Sequence, residues 1–245
     1  MFFITSFNKR LWESYAHTFV NSYVNCNHNI PLVCYVEEDV PQQYDYPHQN
    51  KVKYLNLFKV MPELVEFKEK YKSHQEWQDD TDFLQNAHRF SYKVFAQAHA
   101  SKEGKKFMWL DADNQFHNRI TTKFFNDFIP DDTTLSYYGR EGSYTECGVI
   151  GFNCTLDLSK KFFDIYLGHY TKGTIWQMKH KTDCHALDST REQMKGISGY
   201  KEILKGDGRS GHTIARDKTI NIYIDHKKGK RKFKRHSPEW EQHRR

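Results

Sequence analysis

Two short stretches, more than a hundred residues apart, carry residue types that could handle a cation and a phosphate. In the first, the apolar run Phe107-Met108-Trp109-Leu110 stops on Asp111-Ala112-Asp113. Carboxylates at i and i+2 of a strand project from the same side and can converge on one ion. Hard oxygen donors suit Mg²⁺ or Mn²⁺, and those ions suit a diphosphate. In the second, Ile224-Asp225-His226-Lys227-Lys228-Gly229-Lys230-Arg231-Lys232, the residues His226, Gly229 and Lys232 recur at three-residue spacing. An imidazole can complete a carboxylate site for Mn²⁺, a glycine lets backbone approach a phosphate, and a lysine neutralises it. Taken singly, the first motif also reads as a strand ending in a polar turn, and the second as part of a solvated basic tail. Taken together they are complementary halves of one nucleotide-diphosphate site.

The surrounding pattern predicts the elements that must position them. Phe2 to Phe7 reads as a buried first strand, and Leu11, Tyr15, Phe19 and Tyr23 recur at helical spacing up to about Cys26. Leu32–Val36 is a second strand, followed by acidic Glu37-Glu38-Asp39. Strand, helix, strand at this pace is a βαβ unit, which implies a right-handed crossover and a parallel sheet. Val52–Leu55 reads as a short strand and 62–78 as a helix. A helix over Asn86–Ala100 shows an apolar stripe of Phe90, Val94 and Ala98, with Arg89 and Lys93 together on another face. It runs into the Asp-Ala-Asp strand, so that both aspartates stand at a carboxyl end, where open α/β sheets bind ligands. Beyond lie a helix near 121–128 and strands at Thr134–Tyr138 and Gly148–Asn153. Ser159 caps a helix striped by Phe162, Phe163, Tyr166, Leu167 and Tyr170. Residues 183–193 read as helical and Thr219–Ile224 as a final alternating strand. No internal repeat or low-complexity linker interrupts the chain, so the expectation is one α/β domain.

Bulk properties narrow the classes. With 18 Phe and 15 Tyr among 245 residues, the core is aromatic-rich, and a mean hydropathy of -0.86 does not signal disorder. No stretch approaches the roughly eighteen apolar residues of a membrane span, and the opening Met1–Phe7 is too short and lacks the basic start of a signal peptide. The five cysteines are odd in number and form no Cys-x-x-Cys pair, which fits reduced thiols in a cytoplasmic protein. The formal charge of +6 is uneven: Lys227–Arg245 holds nine Lys and Arg against two Glu, leaving the rest close to neutral. Such a tail is a solvated end or a contact for a polyanion.

With these motifs in this order, the chain resembles metal-dependent glycosyltransferases of the GT-A fold, and within them the glycogenin-like and lipopolysaccharide galactosyltransferase-like family. That resemblance implies a mostly parallel mixed, Rossmann-like sheet flanked by helices, with residues 1–226 as the domain. Residues 227–245 would be a basic tail whose start contributes to the phosphate site. It implies a nucleotide-diphosphate sugar donor and a bound Mn²⁺ or Mg²⁺. Asp111, Asp113 and His226 are the implied metal ligands, with Asp111 also reaching the donor ribose, and Gly229 and Lys232 lie at the diphosphate. Arg89 and Lys93 fall where the family places basic residues near the nucleotide sugar. Glu146-Cys147-Gly148-Val149-Ile150-Gly151-Phe152-Asn153 looks like the family's small-residue strand beside the acceptor. Asp183-Cys184-His185-Ala186-Leu187-Asp188 matches the family's Asp-Gln-Asp-x-Leu-Asn segment at Asp183 and Leu187 and departs from it at Cys184, His185 and Asp188. The family's Lys-Pro-Trp ending is replaced by Lys232-Phe233-Lys234.

The chemistry so implied is stabilisation of a diphosphate leaving group by a cation with Lys232 and Arg89. The family leans towards retention of configuration; an inverting course would need a base, for which Glu146 and Asp183 are the candidates. The basic tail makes DNA carrying a hydroxymethylated base one candidate acceptor and an anionic saccharide or lipopolysaccharide precursor another. His185 and His212 are given no role. A haloacid-dehalogenase-type phosphatase would place its Asp-x-Asp on the first strand, and a nucleotidyltransferase would show an early Gly-rich phosphate loop. A purely nucleic-acid-binding module would leave Asp111, Asp113 and His226 without purpose.

Overall fold

In a computed structural model, residues 1–37, 46–73, 83–206 and 213–234 are described here, with the side chains of Lys230 and Phe233 left aside. Seven strands form one sheet in the order β3-β2-β1-β4-β7-β6-β8, namely β1 (Phe2–Phe7), β2 (Leu32–Val36), β3 (Val52–Asn56), β4 (Lys106–Leu110), β6 (Leu135–Arg140), β7 (Glu146–Asn153) and β8 (Tyr200–Gly206). Four neighbouring pairs are parallel, and only β7 runs against both its neighbours, β4 and β6. The parallel pairing of β1, β2 and β3 is what the βαβ opening predicts, and the mostly parallel mixed sheet is what the family resemblance implies.

Period-two alternation sorts the strand side chains between two cores. Ile4, Phe107 and Trp109 face a layer containing Val94, Phe95, Phe162, Tyr166 and Leu187, from the helices Ala87–Ser101, Asp157–Thr171 and Asp183–Gln193. Phe3, Phe7, Met108 and Leu110 face the other layer, where Phe19 and Tyr23 of His17–Asn25 meet Phe125 of Thr122–Phe128. Both faces are covered, as expected of strands that are apolar throughout. Among the described residues no helix is long and apolar enough to cross a membrane.

Several expectations need correction. β4 ends at Leu110, so Asp111 and Asp113 do not lie on the strand; they occupy the turn after it, closed by the Asn114 N–H donating to Asp111 O at 3.0 Å. The first helix is interrupted by a π-helical segment over Trp12–Ala16, after Asn8 accepts the Leu11 N–H at 2.9 Å. One extra residue in a turn rotates the stripe, and such insertions recur at functional sites; here Tyr15 packs at the edge of the core and lines the site. The 62–78 helix spans Pro62–Lys70 and is followed by a turn, while 74–78 lie outside the described residues. Ser159 is not a cap: the helix begins at Asp157, and the Ser159 hydroxyl bonds back to Leu156 O at 2.6 Å. The final strand is only Ile224–His226, because 220–222 form a 3₁₀ turn fixed by Asn221 Nδ2 donating to Ala215 O at 2.5 Å.

That short strand is β9, and it pairs antiparallel with β5 (Asn114–Phe116), a strand the sequence did not suggest. In this two-stranded ribbon Asn114 stands opposite His226, and the Lys227 N–H donates to Asp113 O at 3.1 Å. The ribbon is the physical link that closes a hundred-residue gap.

Candidate functional site

The strand order reverses between β1 and β4, and the carboxyl ends of such strands open a crevice. A cavity of about 660 Å³ occupies this place, walled by the end of β1 at Ser6 and Asn8, by the Asp111–Asp113 turn, and by Glu146, Asp183, His226 and Lys232. Glu37, at the end of β2, is fixed there by the Ser6 hydroxyl, which donates to its Oε1 at 2.6 Å.

Asp111 looks towards the Ala87–Ser101 helix. Its Oδ1 accepts the indole N–H of Trp109 at 2.6 Å and the Lys93 ammonium at 2.8 Å. Lys93 also reaches Asp183 Oδ2 at 3.1 Å and donates to Cys147 O at 2.5 Å. Burial works against the Lys93 charge, but Asp111 and Asp183 outweigh it and hold its pKa well above the ordinary lysine value. Asp183, at the first turn of its helix behind the Thr182 cap, is 3% exposed, whereas Asp111 is 35% exposed and free to meet a ligand.

Asp113 looks the other way, into the protein. Its Oδ2 is 2.9 Å from Lys232 Nζ and its Oδ1 is 3.4 Å from His226 Nε2, with the carboxylate 8% and the imidazole 2% exposed. Burial alone would raise the Asp113 pKa, yet His226 and Lys232 overcome it and hold the group well below the usual carboxylate range. The same balance raises His226: burial lowers its pKa, and Asp113, Glu146 and Asp111 more than reverse that. Lys232 is also raised, against burial, by Asp113 and Tyr15, whose ring lies 4.5 Å from the ammonium. Gly148 of β7 makes room for the imidazole, since a Cβ there would stand 2.5 Å from His226 Cε1.

The remaining candidates divide. Glu146 is 3% exposed and gripped by Lys228 Nζ at 3.1 Å from each oxygen and by Arg140 Nη1 at 3.4 Å. Arg89 lines the cavity from an exposed position, its guanidinium stacked 4.8 Å from the Phe83 ring. Gly229 adopts φ +65 with nothing within 4 Å of a Cβ, a left-handed turn on the cavity rim that glycine adopts freely. His185 bonds Thr182 and leans on Tyr144, and His212 lies outside the described residues. At the start of the basic tail Lys227 Nζ donates to Lys234 O at 2.9 Å, Lys228 holds Glu146 while staying 41% exposed, and Lys232, expected at the diphosphate, holds Asp113 beside the cavity. Residues 235–245 of that tail lie outside the described residues.

Asp111, Asp113 and His226 each offer a ligand atom, all within 4.8 Å of one another. Asp113 Oδ1 is buried and held only by the 3.4 Å contact to His226 Nε2, and His226 Nδ1 is buried without a hydrogen bond. Two carboxylates and an imidazole with unused lone pairs are a donor set that fits Mn²⁺ or Mg²⁺.

Solved structures share this architecture. Mouse xyloside xylosyltransferase 1, in its apo form, superposes with a TM-score of 0.51 over 82% of this chain and 84% of its own, at 12% identity. The galactosyltransferase LgtC, in complex with donor and acceptor sugar analogues, gives 0.50 over 82% of this chain and 73% of its own, also at 12% identity. The fold is GT-A. At such identity the likeness is one of architecture, and no family model and no curated protein matches the sequence. On the GT-A frame, the site also uses residues that the sequence reading took for core or surface. Trp109 orients Asp111, a role foreshadowed by its i, i+2 spacing. Tyr15 and Lys228 had no such signal, because their partners Lys232 and Glu146 are distant in sequence, whereas Arg140 meets Glu146 across the short turn between β6 and β7.

Proposed function

We propose that this protein is a metal-dependent glycosyltransferase that moves a sugar from a nucleotide-diphosphate donor to an acceptor hydroxyl. The observation that carries the reading is the ribbon that sets Asp111 and Asp113 against His226 and Lys232 at the crevice of a GT-A sheet. Asp111, Asp113 and His226 hold Mn²⁺ or Mg²⁺, which when bound supplies charge to offset that of the departing diphosphate. Lys232 and Arg89 face the same diphosphate, with Gly229 allowing close backbone approach. Lys93 and Trp109 keep Asp111 oriented, so that its exposed oxygen meets the donor ribose and the ion. Glu146 and Asp183 are each already ion-paired, which suits holders of Arg140, Lys228 and Lys93 better than proton acceptors. That supports the retaining course, in which no protein base takes the acceptor proton.

A saccharide is the favoured acceptor. LgtC was solved with an acceptor sugar analogue, and the lysines at the start of the tail are engaged within the domain, Lys227 with Lys234 O, Lys228 with Glu146 and Lys232 with Asp113. All five cysteines are free, which supports a reducing, cytoplasmic setting.

The deciding experiment is incubation with a panel of nucleotide sugars and Mn²⁺, reading released nucleotide. Release from one donor, lost on the order of 10²-fold in Asp111→Asn and in Lys232→Met, is the expected result. No release from any donor, together with no Mn²⁺ binding, would sink the reading. Transfer to hydroxymethylated duplex DNA with a steep salt dependence would move the acceptor to nucleic acid.

A further inference from the structure

Two cysteines line the cavity, and the proposed reaction uses neither sulfur. Cys147 follows Glu146 on β7 and is buried, while Cys184 is the second residue of the Asp183–Gln193 helix and half-buried. Their sulfurs and an Asp183 oxygen all lie within 4.8 Å of one another, and the two thiols are in hydrogen-bonding reach. Each is otherwise held only by long contacts, Cys147 Sγ to Thr145 O at 3.7 Å and Cys184 Sγ to Asp183 Oδ1 at 3.6 Å.

We propose that Cys147 and Cys184 form a modification site: an oxidation-sensitive pair that closes to a disulfide in the cavity wall when a peroxide reaches it. The alternative for two thiols and a carboxylate is a soft metal ion. Asp183 argues against it, because it is 3% exposed and has both oxygens engaged, Oδ2 by Lys93 at 3.1 Å and Oδ1 by the Cys184 thiol at 3.6 Å, which leaves an ion only the two sulfurs. Burial holds both thiols above the ordinary cysteine value and the Lys93 charge offsets only part of that, so the closeness of the two sulfurs, and not a standing thiolate, is what favours their linkage.

The steps balance with hydrogen peroxide as oxidant. The Cys184 sulfur, the more accessible, attacks one peroxide oxygen; the O–O bond breaks, and the departing hydroxide takes the thiol proton as water, leaving a sulfenic acid. The Cys147 sulfur then attacks the Cys184 sulfur; the S–O bond breaks, and the hydroxide leaves with the second thiol proton as water. Two thiols and one peroxide give one disulfide and two waters. A disulfide needs its sulfurs about 2.05 Å apart, so closure draws the first turn of the helix, with Asp183, towards β7.

The test is chemical and independent of any transferase assay. The full chain is treated with hydrogen peroxide, remaining thiols are alkylated, and the protein is digested without reductant for mass spectrometry. The expected result is a Cys147–Cys184 linked peptide with loss of alkylation at both, reversed by dithiothreitol. Cys26, half-buried like Cys184, remains alkylated and serves as the internal control. Cys184→Ser and Cys147→Ser each abolish the link; the Cys184 variant, at the less buried position, guards against a folding defect in the other. Oxidation of Cys184 that stops at sulfenic or sulfinic acid, linkage to another cysteine, or equal oxidation of Cys26 would overturn the proposal. So would protection of both thiols by Zn²⁺ alone, which would make the cluster a soft-metal site.

Discussion

Asp111 and Asp113 belong to one turn, two residues apart, yet the fold gives them different surroundings. Asp111 is 35% exposed and leans on a lysine and an indole from its own side of the sheet. Asp113 is 8% exposed and clamped between an imidazole and an ammonium that arrive from the chain's far end. One carboxylate is therefore presented to the cavity, while the other anchors the late segment to the sheet. A metal ion would draw on both, but without it their energetic weights differ, because an ion pair closed off from water leaves an uncompensated charge when one partner is removed.

The sharpest break of this comparison is stability. Asp113→Ala strands His226 and Lys232 and is expected to cost about 3–5 kcal/mol. Asp111→Ala, whose partner Lys93 keeps Asp183, is expected to cost about 1 kcal/mol or less. Equal midpoints in urea unfolding would refute the distinction. Metal should erase it in another measurement: Mn²⁺ at a hundredfold excess over its Kd should add about 2.7 kcal/mol to the wild-type fold. That gain should vanish in both Asp111→Asn and Asp113→Asn, as read by thermal shift. A gain that survives in Asp111→Asn would confine the ion to the Asp113 side. Gly148→Ala probes the buried side alone, by pushing a methyl into the His226 ring. It should cost about 1–3 kcal/mol and weaken Mn²⁺ binding in calorimetry while leaving the Trp109–Asp111 contact intact.

The smallest effect is in the pH profile of the metal-free protein. His226 is raised above its ordinary 6.5, so its contribution is complete below that pH and fades as pH climbs through the folded value. Asp113 is depressed from 3.8, so its contribution is complete above that pH and is lost as pH falls further. Urea midpoints measured across pH should decline on both sides of this window. In Asp113→Ala the alkaline decline should flatten, and an unchanged slope there would separate His226 from Asp113.

The parts of the fold that were legible are those where local pattern and tertiary role coincide. Phe2–Phe7 and Leu32–Val36 are buried on both faces and could be little other than central strands. Residues 183–193 read as helical, and the structure gives Asp183–Gln193, capped by Thr182. β8, with an exposed polar face, and β5, three residues long, gave no periodicity strong enough to read. Thr219–Ile224 misled because its alternation is also compatible with a 3₁₀ turn when one isoleucine is left exposed, as Ile222 is.

Residue pattern alone set out a parallel α/β sheet, two aspartates at a strand's end and a late His-Gly-Lys segment able to face them. Those features rest on side-chain type and short spacing, which need no knowledge of distant partners. Only the tertiary structure decided which aspartate is presented and which is buried, that Tyr15 serves the site, and that Lys228 reaches Glu146. Those outcomes depend on backbone pairing between β5 and β9 and on the space left by Gly148. Neither is encoded within the range over which a helix or strand announces itself.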